Sequence, residues 1–201
     1  QTREEDLAKW KQNNIPGFTD YDWYKEMIRN YTTSHNHNFS VEGGNKNITY
    51  FTSLGYMADH GLYRNNELQN YKKYNFRTNL TARLAEGLKV QVSLAGRWDQ
   101  TKYPTETSFW LFKRIITADR GFGPFTIANP EHLASVPATN TNAWALMNED
   151  ISGYDKRIGF QYQSTIDVSY ALPFIKGLTL GVLAGYDGNI NDDRFLLKGF
   201  Q

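Results

Sequence analysis

Residues 71–99 constrain this chain more than any other stretch. Tyr74, Phe76, Thr78, Leu80, Ala82 and Leu84 recur at every second position, with Lys73, Asn75, Arg77, Asn79, Thr81 and Arg83 between them. After Glu86-Gly87 the alternation resumes, with Leu88, Val90, Val92, Leu94 and Trp98 against Lys89, Gln91, Ser93, Arg97 and Asp99. Successive side chains of a strand point to opposite faces. A period of two on both sides of a glycine-containing turn therefore predicts an antiparallel hairpin. One face is apolar and the other polar, and which of them looks inward decides what the chain can do.

The same period appears elsewhere. His35, His37, Phe39 and Val41 alternate with Asn36, Asn38, Ser40 and Glu42, and a turn at Gly43-Gly44-Asn45-Lys46 leads to Ile48, Tyr50, Thr52, Leu54 and Tyr56. Ile158, Phe160, Tyr162, Ile166, Val168, Tyr170 and Leu172 oppose Gln161, Gln163, Thr165, Asp167 and Ser169. A turn at Pro173–Gly177 then opens a sixth strand through Leu178, Leu180, Val182, Ala184 and Tyr186, and polar Asp187–Arg194 reads as the start of another connection. Residues 1–33 differ: Leu7, Trp10 and Lys11 at helical spacing, a break at Pro16-Gly17 and the run Asp20–Ile28 predict two short helices, the second capped by Asp20 or Asp22. They are too short to bury a core of their own and read as borne on a loop. Residues 58–70 read as a medium loop, and about 101–153 as a long irregular one.

Bulk properties exclude several classes. Twenty-two lysines and arginines balance 21 acidic residues, so charge gives no nucleic-acid signal. The absence of cysteine rules out disulfides and thiolate metal sites. Mean hydropathy is -0.61, and no apolar run approaches the roughly 18–20 residues of a membrane helix. Hydropathy says little of a barrel, whose strands are only half apolar. The chain opens at Gln1 without an initiator methionine or signal-peptide pattern and ends at Gln201 just after a strand-like run, as expected of a stretch cut from something longer.

Connections alternate between short and long, the strands are long, and aromatic residues recur near their ends. Those are the marks of an outer-membrane barrel with tight periplasmic turns and long extracellular loops. The expected fold is all-β: an antiparallel transmembrane β-barrel segment spanning 34–201, with short helices in a loop at 1–33 and a long loop at about 101–153. If the apolar rows face lipid, Asn75, Arg77, Asn79, Arg83, Gln91, Arg97, Gln161, Gln163 and Asp167 line the lumen. In a soluble β-rich carbohydrate-binding module the apolar rows would pack inward and these residues would be ordinary surface. Periodicity alone leaves both open.

Three segments carry a resemblance. Asp22-Trp23-Tyr24-Lys25-Glu26 fits D-W-x-x-E. Asn36 through Tyr56 fits N-x-x-x-S-x-x-G-G-x-x-x-x-x-Y-x-x-S-L-G-Y, and Tyr74 through Leu80 fits Y-x-x-R-x-N-L. Over about 20–84 the chain thus resembles the SusC-like TonB-dependent outer-membrane transporters (SusC/RagA family) of Bacteroidetes. The resemblance implies a 22-stranded barrel around an N-terminal plug, with the plug and TonB box outside these residues, the short turns periplasmic, and both the helical loop at 1–33 and the long loop at about 101–153 extracellular. It also implies a SusD-like surface lipoprotein as lid, coupling to TonB through that N-terminal region, outer-membrane lipid around the wall, and uptake of oligosaccharides or peptides.

Candidate sites are few. Phe109, Trp110, Phe112, Arg114, Phe122, Phe125 and Trp144 fall in the long loop. Trp110 and Trp144 could stack on sugar rings, with Arg114 or Arg120 donating hydrogen bonds, or they could pack the loop on itself. His35 and His37 share a strand face but offer too few ligands for a metal. Asp187–Asp193 places oxygens as a calcium loop does, yet Asp192 replaces the required glycine and Lys198 stands in place of the bidentate glutamate. No metal or cofactor is expected. No nucleophile, base and orienter fall together, so no enzyme is expected either.

Overall fold

The computed structural model describes residues 4–15, 17–64, 68–127, 129, 131–134 and 142–199. Pro16, expected to break the first helix, lies outside them. Within the described residues six strands form one antiparallel sheet in chain order: β1 (Ser34–Gly44), β2 (Ile48–Asp59), β3 (Asn70–Ala85), β4 (Leu88–Tyr103), β5 (Gly153–Ala171) and β6 (Thr179–Leu197). Among the described residues five short helices accompany it: α1 (Glu4–Gln12), α2 (Trp23–Met27), α3 (Ser108–Thr117), α4 (Ala143–Leu146) and α5 (Glu149–Ser152).

The turns have local causes. Between β1 and β2 the Asn45 Oδ1 accepts from the backbone N–H of Asn47 at 2.8 Å and of Ile48 at 3.0 Å. Between β3 and β4, Gly87 adopts φ +78°, and a Cβ there would meet Ala171 O at 2.5 Å. Only glycine turns so tightly against a neighbouring strand at no steric cost. The register slips between Arg83 and Ala85, so Leu84 bulges out of the apolar row just before this turn.

Register carries the alternation across the whole sheet. Tyr50 pairs with Leu80, Leu80 with Val92, Val92 with Ile166, and Ile166 with Ala184. Every apolar row therefore lies on one face. Nothing covers it among the described residues: Phe76 is 43%, Leu80 41%, Leu94 40% and Ile166 49% exposed. A sandwich would bury these side chains against a second layer.

Two expectations need correction. The polar run Asp187–Arg194 is not a connection but the upper half of β6, paired residue for residue with β5, Ile190 opposite Phe160 and Asp193 opposite Arg157. Partner-strand hydrogen bonds outweigh the poor strand propensity of Asp and Asn. With the run extended, it cannot curl around a cation. The 101–153 stretch is also not wholly irregular, since it carries α3, α4 and α5.

These helices build a compact core of their own at one end of the sheet, where the long connections gather. Trp23, Met27, Leu111, Ile115, Ala143 and Met147 are buried together, with Tyr63 from the β2–β3 connection. Asp22, rather than Asp20, caps α2 by accepting from Lys25 N at 3.1 Å. Trp23 Nε1 donates to Asp119 O and Phe122 O at 3.2 and 3.0 Å. Buried Asn142 caps α4 through Oδ1, while its Nδ2 donates to Pro124 O and Ala134 O. The second N-terminal helix, too short for a core alone, contributes two of the largest side chains to a shared one.

Candidate functional site

The polar face of the sheet holds the most site-like surface. Asn75, Arg77, Arg97, Gln161 and Gln163 lie on adjacent strands β3, β4 and β5, brought level by the pairs Asn75–Arg97, Arg97–Gln161 and Ala95–Gln163. With Phe51 and Ser53 they line an open hollow of about 440 Å³. Arg97 Nε donates to Asp99 Oδ1 at 2.9 Å, so its charge is balanced. Arg77 has no ion pair or hydrogen bond among the described residues. The hollow thus offers a guanidinium, two carboxamides from glutamine and one from asparagine, a set that hydrogen-bonds carboxylates, peptide groups or sugar hydroxyls.

The other four residues expected on this face lie nearer the tight turns. Gln91 pairs with Asp167 in register and donates to Thr81 Oγ1 at 3.4 Å. Asn79 sits opposite Ser93. Arg83 is committed to the scaffold: its Nη1 donates to Lys46 O at 2.7 Å, tying the β3 end to the β1–β2 turn. The polar face is not uniformly polar, since Phe51, Met57 and Leu183 share it by register.

The three loop candidates are not brought into one site. Trp110 lies half-exposed on α3, with Lys113 Nζ 4.7 Å from its ring centroid and Phe109 edge-on at 5.4 Å. Arg114 Nε donates to Glu106 Oε2 at 2.8 Å. Trp144 packs against the helical core, edge-to-face with Phe125 at 4.7 Å. What the sequence reading missed is that α3 has two faces. Leu111 and Ile115 point into the core, while Phe109, Phe112 and Ile116 form an exposed apolar stripe at helical spacing. The 3–4 residue spacing was present as a signal, obscured by aromatic residues on all sides.

Burial holds the phenols of Tyr21 and Tyr63 above their ordinary range, with Glu26 adding to the effect at Tyr21. Tyr63 O–H donates to Ser108 O at 3.1 Å, joining the β2–β3 connection to α3. His35 stacks parallel to His37 at 6.4 Å and edge-on to His60 at 6.1 Å, and His60 Nδ1 lies 3.3 Å from Asn70 Oδ1. No group of three or more His, Asp or Glu side chains able to hold a metal occurs among the described residues. Among the described residues no helix is long and apolar enough to cross a membrane, which says nothing of strands.

No protein-family model matches the chain. The TonB-dependent receptor P26 of Formosa agariphila is 30% identical over 78 residues, which cover 39% of this chain and 8% of that protein. The structure of the RagAB peptide importer in the 'open-open' state matches 86% of this chain and 19% of its own, at 25% identity and a TM-score of 0.61. The structure of the RagAB peptide transporter matches the same shares at 26% identity and a TM-score of 0.59. The chain therefore spans under a tenth of the curated relative and about a fifth of the RagAB chains. The motif run, the six-stranded meander with its uncovered apolar face and both likenesses agree in supporting a SusC/RagA-like TonB-dependent transporter segment, similar to a stretch of an outer-membrane β-barrel wall.

Proposed function

We propose that the protein containing this segment is a TonB-dependent importer, taking up oligosaccharides or peptides through the outer membrane. The observation that carries the reading is the sheet's two faces: a largely apolar exposed field on one side, crossed by the row of Thr52, Thr78 and Ser164, and a polar hollow on the other. Lipid suits the first and a water-filled or plugged lumen the second. A soluble carbohydrate-binding module would need a layer over Phe76, Leu80, Leu94 and Ile166, and none is supplied by the described residues. The open edges of β1 and β6 fit closure by further strands of the same barrel.

On this reading the tight turns are periplasmic, and residues 1–33 and about 101–153 form extracellular loops. Asn75, Arg77, Asn79, Arg83, Gln91, Arg97, Gln161, Gln163 and Asp167 face the lumen. A SusD-like lipoprotein is the proposed lid partner, and the exposed stripe of Phe109, Phe112 and Ile116 supports a protein contact at the loop end. TonB would act through an N-terminal region outside this chain. Among substrates, the likeness to RagAB, a peptide importer, favours peptides, and Trp110, Arg114 and Trp144 remain proposed contacts at the mouth. The test is uptake of labelled oligopeptides and oligosaccharides by cells carrying the whole protein, with and without a functional TonB system. TonB-dependent uptake of either class is the expected result; TonB-independent binding without uptake would overturn it.

A further inference from the structure

A row of aromatic rings crosses the apolar face below the loop end. His37 stacks on Tyr56 at 6.2 Å, Tyr56 meets Tyr74 at 4.9 Å and Tyr74 meets Trp98 at 5.4 Å, with Phe160 next in register. Along this row the face is hollowed into an apolar groove of about 500 Å³ floored by Leu54, Phe76 and Gly96. The groove has a cause in sequence: Gly96 has no side chain, and Phe76 lies across it where a Cβ would meet the ring at 2.2 Å.

Above the groove, on the same face, the residues turn basic. Lys72 is two positions beyond Tyr74, and Lys102 and Lys156, which pair in register, are four positions beyond Trp98 and Phe160. At about 3.3 Å per residue these side chains start roughly 7 and 13 Å above the aromatic row. Glu149 pairs with Lys102, and Asp192 with Arg194 at 2.6 Å, so those two cations are balanced locally. Lys72 and Lys156 have no ion pair or hydrogen bond among the described residues, although Asp192 lies within electrostatic reach of Lys156. Two ammonium groups thus project from the lipid-facing side of the wall just beyond its aromatic row.

We propose that this face holds a specific anionic lipid of the outer leaflet, a phosphorylated glycolipid, with an acyl chain in the groove and a phosphate on Lys72 and Lys156. The inference rests on reading the sheet as an outer-membrane wall with its long loops outside. Charge complementarity and height select the occupant. A neutral chain satisfies the groove but leaves both lysines unmatched, whereas phosphate is a preferred partner of the lysine ammonium. Aromatic girdles mark the level where acyl chains end and headgroups begin, which places the lysines at headgroup height.

The test uses the full-length transporter purified in a non-ionic detergent. Native mass spectrometry would read the bound fraction of bis-phosphorylated lipid A and of its dephosphorylated form. The expected result is preferential binding of the phosphorylated lipid. Lys72→Gln with Lys156→Gln should lower that binding by about tenfold or more, and Lys72→Arg with Lys156→Arg should retain it. Trp98→Ala should weaken both lipids. Equal binding of the two lipids, or a Gln pair that binds like the parent, would overturn the proposal. So would complete displacement by millimolar inorganic phosphate, which would indicate an anion site without a lipid site. A Leu80→Cys variant in whole cells, probed with a lipid-soluble thiol reagent, separates this outcome from failure of the barrel reading: labelling there upholds the wall whatever the lipid result.

Discussion

At the scale of single residues, the helical core at the loop end depends on a few buried groups with specific partners. Trp23→Ala would open a cavity and leave the Asp119 and Phe122 carbonyls without their donor. The expected cost is about 3–5 kcal/mol, confined to this core. It would be read as faster hydrogen exchange and proteolysis of the connection between β4 and β5 with the strands unchanged. Tyr63 makes a pH-dependent contribution. Because burial raises its phenol pKa, the folded core binds that proton more tightly than the unfolded chain. Its stabilising effect is complete below the ordinary tyrosine range near pH 10 and is lost as pH rises through the raised value. Tyr63→Phe should cost about 1 kcal/mol at neutral pH by deleting the bond to Ser108, and should flatten the alkaline loss of protection in the same exchange measurement.

At the scale of elements, the hairpin of β3 and β4 is set by alternation plus one tight turn. Gly87→Val would force a β-branched side chain into φ +78° and against Ala171 O. A cost above about 1–3 kcal/mol is expected. The measurement is the yield of heat-modifiable folded barrel on electrophoresis, which should fall, whereas Glu86→Ala beside it should leave it unchanged. Helix α3 shows a different dependence. Its stretch has aromatic or aliphatic residues on every side, so periodicity did not single out a buried face. Packing against α2 and α4 selected Leu111 and Ile115, and Phe109, Phe112 and Ile116 were left outside. Strand β6 was misread for a related reason: its upper half is polar in composition but receives a complete ladder from β5, and the ladder is indifferent to side-chain polarity.

At the scale of the whole molecule, the wall reading makes a face-by-face prediction, to be read against the parent protein as background, and none of these 201 residues is a cysteine that would add to it. Single cysteines at Leu80, Leu94 or Ile166 should react with membrane-soluble thiol reagents and resist charged ones. Cysteines at Arg77, Arg97 or Gln163 should show the reverse once the lumen is open to water. Mixed behaviour within one face would sink the assignment. The molecule also divides its cohesion in two. The sheet is held by its backbone ladders and its surroundings, while the helical cap is held by an ordinary buried core of Trp23, Met27, Leu111 and Ile115. Perturbing one should therefore leave the other largely intact.

The sequence by itself determined five of the strands and the lower half of β6, their antiparallel pairing and most of the composition of their two faces. Side-chain alternation is a local property of extended backbone, readable wherever it persists over several residues, whereas the motif run at 20–84 is legible through residue identities that resemble a family. Five of the nine residues expected on the polar face, Asn75, Arg77, Arg97, Gln161 and Gln163, do converge on one hollow. Only the tertiary structure decided that no second layer among the described residues covers the apolar face, that distant helices share one core, and that Trp144 packs while Trp110 stays half-exposed. Each of those depends on which segments lie against which, and burial against a distant partner leaves no period in the chain.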